Sequence, residues 1–87
     1  MRYTVEILRR AERTLRTLTD RKLYRRLRDT IDALAIEPRP HGCAKLSGAK
    51  SIYRVRVGDH RIVYQIEDDR LLVLIVDIGH RREIYRT

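Results

Sequence analysis

The chain has 87 residues, enough for one domain that folds without staples and buries about 60–65% of its unfolded surface. Its formal net charge is +8, from 20 Lys and Arg against 12 Asp and Glu, with arginine outnumbering lysine 17 to 3, so a polyanion or an acidic partner is implied. Cys43 is alone, which excludes an intramolecular disulfide, and no Cys/His cluster has the spacing of a structural zinc site.

The longest apolar run, Leu71 to Val76, is far short of the ~20 residues that span a bilayer. No signal-peptide core opens the chain, and a cytoplasmic location is expected. Residues 2 to 8, RYTVEIL, alternate with Tyr3, Val5 and Ile7 on one side and predict a strand. A helix follows, in which Leu8, Ala11, Leu15 and Leu18 form an apolar stripe while Arg9, Arg10, Arg13 and Arg16 occupy the remaining surface. Asp20 is placed to cap a second helix, with Leu23, Leu27, Ile31 and Leu34 as its buried stripe and Glu37-Pro38 as its end. Two short amphipathic helices so close together form a hairpin that needs a sheet beneath it.

The stretch EPRPHGCAKLSGAK carries two prolines and two glycines with no sustained period, and predicts a loop. It leads into YRVRVGDHRIVYQ, residues 53 to 65. A strand repeats its direction every two residues, so Arg54 and Arg56 point to one side and Tyr53, Val55 and Val57 to the other. Gly58-Asp59 suits a two-residue type II′ turn, pairing Val57 with His60, Arg56 with Arg61, Val55 with Ile62 and Tyr53 with Tyr64. One face is then apolar and the other cationic. Like charges sit opposite each other at Arg56 and Arg61, and such a cluster wants an anion.

Glu67 to Arg70 make a second tight turn, and LLVLIVDIG, apolar on both sides, predicts a central strand. Continuing the pairing puts Leu72, Leu74 and Val76 on the arginine side, beside Val63 and Arg61. His60 is expected at the hairpin mouth in a structural role, opposite Asp77. The expected fold is α+β, ordered β-α-α-β-β-β: an antiparallel sheet with a helical hairpin packed on one face, in a single domain over residues 1–87.

In the closing segment GHRREIYRT, Arg81 and Tyr85 lie four apart and share a side in either helix or strand. Taken with PRPHGCAKLSG, YRVRVGDHRIVYQIEDD and IGHRREIYR, the chain resembles the RelE/ParE superfamily of bacterial toxins, and especially its RelE-like branch. The resemblance implies a type II toxin: a ribosome-dependent endoribonuclease that cuts mRNA in the ribosomal A site and stops translation until an antitoxin neutralises it. It places basic strand positions on Arg54 and Arg56, the hairpin arginine on Arg61, the arginine after the last strand on Arg81 and the terminal tyrosine on Tyr85. Lys45, in the loop, joins Arg54 and Arg56 as a substrate-binding residue.

Attack of a 2′-hydroxyl on the neighbouring phosphate, giving a 2′,3′-cyclic phosphate, needs a base, charge stabilisation and an acid. The arginines would supply charge. Tyr85 would stack on a splayed base, or act as base if guanidinium groups lowered its pKa from about 10. The archetypal member has lysines where this chain has arginines, and a guanidinium cannot accept a proton, so His80 is nominated as general base or acid. His41 and Cys43 lack partners at triad or metal spacing. No metal and no cofactor are expected. The implied partners are a cognate acidic, RelB-like antitoxin in a toxin-antitoxin hetero-oligomer, the 70S ribosome and mRNA, with no membrane. Two alternatives stay open: a ParE-like DNA gyrase inhibitor on the same fold, and a non-catalytic basic module that binds RNA or an antitoxin.

Overall fold

The hairpin announced by Gly58-Asp59 is formed in the computed structural model of the protein, which describes residues 2–46 and 51–80. Along the chain come β1 (Thr4–Ile7), α1 (Arg9–Thr17), α2 (Arg21–Leu34), β2 (Ala44–Lys45), β3 (Ile52–Val57), β4 (His60–Glu67) and β5 (Leu72–His80). Gly58 has φ +61° and Asp59 does not enter the positive region, which fits a type II′ turn. The β3–β4 register is the expected one at every pair named above, including Arg56 opposite Arg61.

Both helices lie on one face of the sheet, as their stripes require. The Asp20 carboxylate accepts a hydrogen bond from the Leu23 N–H at 3.1 Å and starts α2, an N-cap worth about 1 kcal/mol. Leu27, Ile31 and Leu34 of α2 and Ala11 and Leu15 of α1 are buried in the same core as Val55, Ile62, Tyr64 and Ile75 of the sheet. Leu8 and Leu18 flank α1 instead of extending its stripe, because the backbone is extended at both.

The sheet order is β1-β5-β4-β3-β2. β5 is therefore an interior strand, between β1 and β4, which accounts for its run of apolar residues on both faces. Strands β3 to β5 pair antiparallel, as expected. β1 differs: it runs parallel to β5, with Thr4 opposite Leu72 and Ile7 opposite Ile75, and the helical hairpin lies within the long connection that a parallel pair needs. β2 is a further difference, since Ala44 and Lys45 were expected in a loop and instead pair with Arg54 and Tyr53.

The β4–β5 ladder carries a third. Val63 pairs with Asp77 but Tyr64 with Ile75, so Val76 is the extra residue of a bulge. Leu72 and Leu74 do fall on the arginine side, but beside Glu67 and Gln65. Asp77 and Gly79 stand opposite Val63 and Arg61, and His60 faces His80, not Asp77. Gly79 brings no side chain to the end of the face where Arg61 sits. Among the described residues no helix is long and apolar enough to cross a membrane.

Candidate functional site

The pleat of the β3–β4 hairpin sends Arg54, Arg56 and Arg61 to the face away from the helices, and they line one cleft of about 200 Å³. Gly42 and Ala44 form its other wall, Ala44 being held there by its pairing with Arg54. The three arginines differ in exposure. Arg61 is buried, at 8% exposure, Arg54 is half-buried and Arg56 is exposed. The Arg56 Nε donates to the Gly58 carbonyl at 3.1 Å, which steadies its guanidinium at the hairpin turn. Two adjacent strands thus bring three forked cations around a concavity small enough to exclude bulk water from one face of an anion, an arrangement suited to a phosphodiester.

Two expected site residues fall elsewhere. Lys45 is paired with Tyr53, so it shares the helix-side face with that ring and is absent from the cleft. His80 is paired with His60, and their rings meet edge to face at 5.6 Å. His60 follows Val57 across the turn on the core side, so the His80 imidazole faces the helix side while its neighbour Gly79 faces Arg61. Arg81 and Tyr85 lie outside the described residues. Gly42 and Ala44 are cleft residues that the loop assignment concealed. Their signal was present in Pro40-His41-Gly42-Cys43: the Cys43 N–H donates to the Pro40 carbonyl at 3.0 Å and Gly42 has φ +94°, as in a type II turn feeding a strand.

A second concavity, of about 630 Å³, lies between the two helices. Leu15, Leu18 and Tyr24 give it an apolar floor, and Arg16, Arg21, Arg25 and Arg28 stand around it. Tyr24 is 42% exposed, an unusual state for a large side chain on the apolar margin of a helix. Arg16 and Arg28 reach Glu12 and Asp32 one turn away only at 3.8 and 3.9 Å, loose surface pairs that leave the groove strongly positive.

On the helix side of β3, aromatic and charged groups lock together. The buried Tyr64 hydroxyl donates to the Pro38 carbonyl at 2.8 Å, and burial pushes its phenol well above the usual tyrosine range. Tyr53 stacks on Tyr64 with centroids 6.0 Å apart, and Arg39 lies over Tyr53 at 5.2 Å. The Arg39 guanidinium grips both oxygens of Asp68, at 3.1 and 2.8 Å, and its Nε donates to the Tyr53 hydroxyl at 3.1 Å. Tyr3 adds an O–H donated to Asp68 at 2.6 Å. The Arg39 bonds first, then the Tyr3 bond, hold the Asp68 carboxyl down at about 2.

The family "ParE toxin of type II toxin-antitoxin system, parDE" matches residues 5–85. With its basic cleft on one sheet face and its helical hairpin on the other, the chain belongs to the RelE/ParE superfamily of type II toxin-antitoxin toxins. Its relatives include Toxin RelG of Mycobacterium tuberculosis, 31% identical over 86 residues that cover 99% of each chain. Among solved structures, the RelE-RelB complex from Pyrococcus horikoshii superposes with a TM-score of 0.82 at 30% identity, covering 93% of this chain and 97% of that one. A mutant of Escherichia coli RelE in the free state superposes at 0.80 with 25% identity, covering 98% and 92%.

Proposed function

We propose that this toxin is a ribosome-dependent endoribonuclease that cuts mRNA in the A site, and that the arginine cleft is where the scissile phosphate sits. The convergence of Arg54, Arg56 and Arg61 on one small concavity carries this reading. In-line attack of the 2′-hydroxyl puts a second negative charge on the phosphorane, and preorganised guanidinium groups favour that state over the singly charged diester. Arg54 and Arg56 hold the flanking backbone. Arg61, the most buried, acts on the phosphorane, and Arg81 adds charge from beyond β5. Tyr85 stacks on the base turned out of the codon. We assign no proton-transfer role to His80 at this cleft, because its ring packs edge to face on that of its paired neighbour His60.

Ribosomes programmed with a defined A-site codon test the reading. The expected product is a single cut in that codon with a 2′,3′-cyclic phosphate end. The matched family model also favours a second reading, a gyrase poison of the ParE kind. DNA breaks trapped on gyrase, with intact mRNA on the ribosome, would establish it instead.

The Pyrococcus horikoshii neighbour was solved as a RelE-RelB complex, and an antitoxin is carried over to this chain as its partner. The groove between α1 and α2, with its leucine floor and arginine surround, suits an amphipathic helix with acidic flanks. Reversing two of its charges with R25E/R28E is expected to weaken antitoxin binding by about 10–100-fold, mostly through slower association at low salt. Titration of purified antitoxin checks this, and unchanged affinity would move the partner off the groove.

A further inference from the structure

The Pro38-Arg39-Pro40 triplet has no role in the cleft chemistry, yet Tyr64, Tyr53, Asp68 and Cys43 all hydrogen-bond to it. Both ends of the triplet are stiff: proline fixes its own φ and forces the residue before it to be extended. Arg39 therefore sits between two prolines at a stiff bend of the chain. The Tyr64 hydroxyl fixes the Pro38 carbonyl on one side of it, and the Pro40–Cys43 turn begins on the other. At its own position, Arg39 is tied through its side chain to Asp68 and Tyr53, groups from the β4–β5 turn and from β3. The chain then passes through Gly42 into Ala44, which are the wall of the arginine cleft.

We propose that Arg39 is a positioning residue: its grip on Asp68 and Tyr53 sets the Pro40–Cys43 turn, and through it the wall that Gly42 and Ala44 present to the arginine cleft. The reasoning is one of leverage. β2 is only two residues long and lies at the sheet edge, so its pairing with β3 cannot by itself fix the approach of the loop. Gly42 has open space around its Cβ position, so no packing holds the turn from that side. Cys43 packs against the core at the far end of the turn, and the anchored root holds its near end. The Arg39–Asp68 pair is itself substantially exposed, at 41% and 55%, so its value to global stability is small. A fork held at both carboxylate oxygens and at a phenol is, in contrast, well suited to fixing direction. Cleft geometry, more than folding, is what this contact controls. The inference rests on the phosphate reading of the cleft only for its consequence; the placement of the wall can be measured separately.

The test compares R39Q, R39K and the control R70Q, which removes the ion pair of an exposed arginine with the half-buried Glu67 at the same turn. Two readouts are taken: amide hydrogen exchange at Cys43 and Leu46, whose N–H groups bond to Pro40 and Ile52, and affinity for a trinucleotide RNA blocked by a 2′-O-methyl group. In R39Q, exchange at Cys43 is expected to quicken about tenfold and trinucleotide affinity to fall about five- to tenfold, with core amides unaffected. R39K, which keeps the charge but loses the fork, should fall between R39Q and the wild type, and R70Q should match the wild type. Unchanged exchange at Cys43 in R39Q would overturn the proposal, as would an equal effect in R70Q. A wild type that does not bind the trinucleotide would refute the phosphate reading, and the exchange rates alone would then decide the role of Arg39.

Discussion

On the ribonuclease proposal, replacing Arg61 by methionine is expected to slow mRNA cleavage on the ribosome by about 10²–10³-fold while leaving folding stability within about 1 kcal/mol of the wild type. The two halves of this expectation have separate causes. Arg61 is the buried member of the arginine cluster, so it works where solvent screening is weakest and a guanidinium has most effect on a developing charge. Its loss should lower kcat more than it raises KM, because Arg54 and Arg56 still hold the ground-state diester. On the stability side, Arg61 stands directly opposite Arg56, and like charges at such a pair are destabilising. Methionine keeps most of the side-chain volume and removes both the buried charge and that repulsion. Single-turnover cleavage and a thermal melt on the same preparation measure the two effects. A variant that is stable and fully active would remove Arg61 from the reaction; R61K, which keeps charge without the planar fork, should retain an intermediate rate.

The residue whose position was most legible is this same arginine. Gly58-Asp59 admits one turn, alternation on both sides of it admits one register, and those two constraints place Arg61 opposite Arg56 without further information. The helical stripes were legible for a related reason, since a 3.6-residue period points at one face only. β5 was different. Its run LLVLIVDIG is apolar on both sides, and a strand without alternation carries no mark of register. The bulge at Val76 could not be seen there, and one extra residue decides what stands opposite His60. His80 was nominated for its chemistry alone, with no register to place it, and in the fold it pairs with His60 on the helix side. Lys45 went astray through the same parity, on a strand too short to recognise. The parallel pairing of β1 with β5 depends on where two distant segments meet, which no local pattern encodes. Arg81 and Tyr85 keep the standing that the family resemblance gives them.

The second large effect is expected in the core, where Leu27→Ala should cost about 2–5 kcal/mol and lower the melting temperature by more than about 10 °C. Leu27 has no exposed surface and lies at the middle of the α2 stripe, between Leu23 and Ile31, facing the sheet. Several features make its cavity hard to refill. The start of α2 is fixed by the Asp20 cap, and Leu27 is fully buried in one cluster with Val55, Val57 and Ile62 of the hydrogen-bonded β3–β4 hairpin. A rigid surround relaxes little, so the loss should lie toward the upper part of the range. The matching control is Ile36→Ala, two residues beyond α2 at 64% exposure, which should change stability by less than about 0.5 kcal/mol. Urea titration of both variants gives the comparison, and it also separates folding from chemistry. Leu27 lies on the helix side of the sheet and the arginine cleft on the other, so the folded fraction of Leu27→Ala should still bind the blocked trinucleotide with wild-type affinity. Loss of binding in molecules that remain folded would mean that the two faces of the sheet are mechanically coupled, and that the cleft depends on core packing as well as on its own side chains.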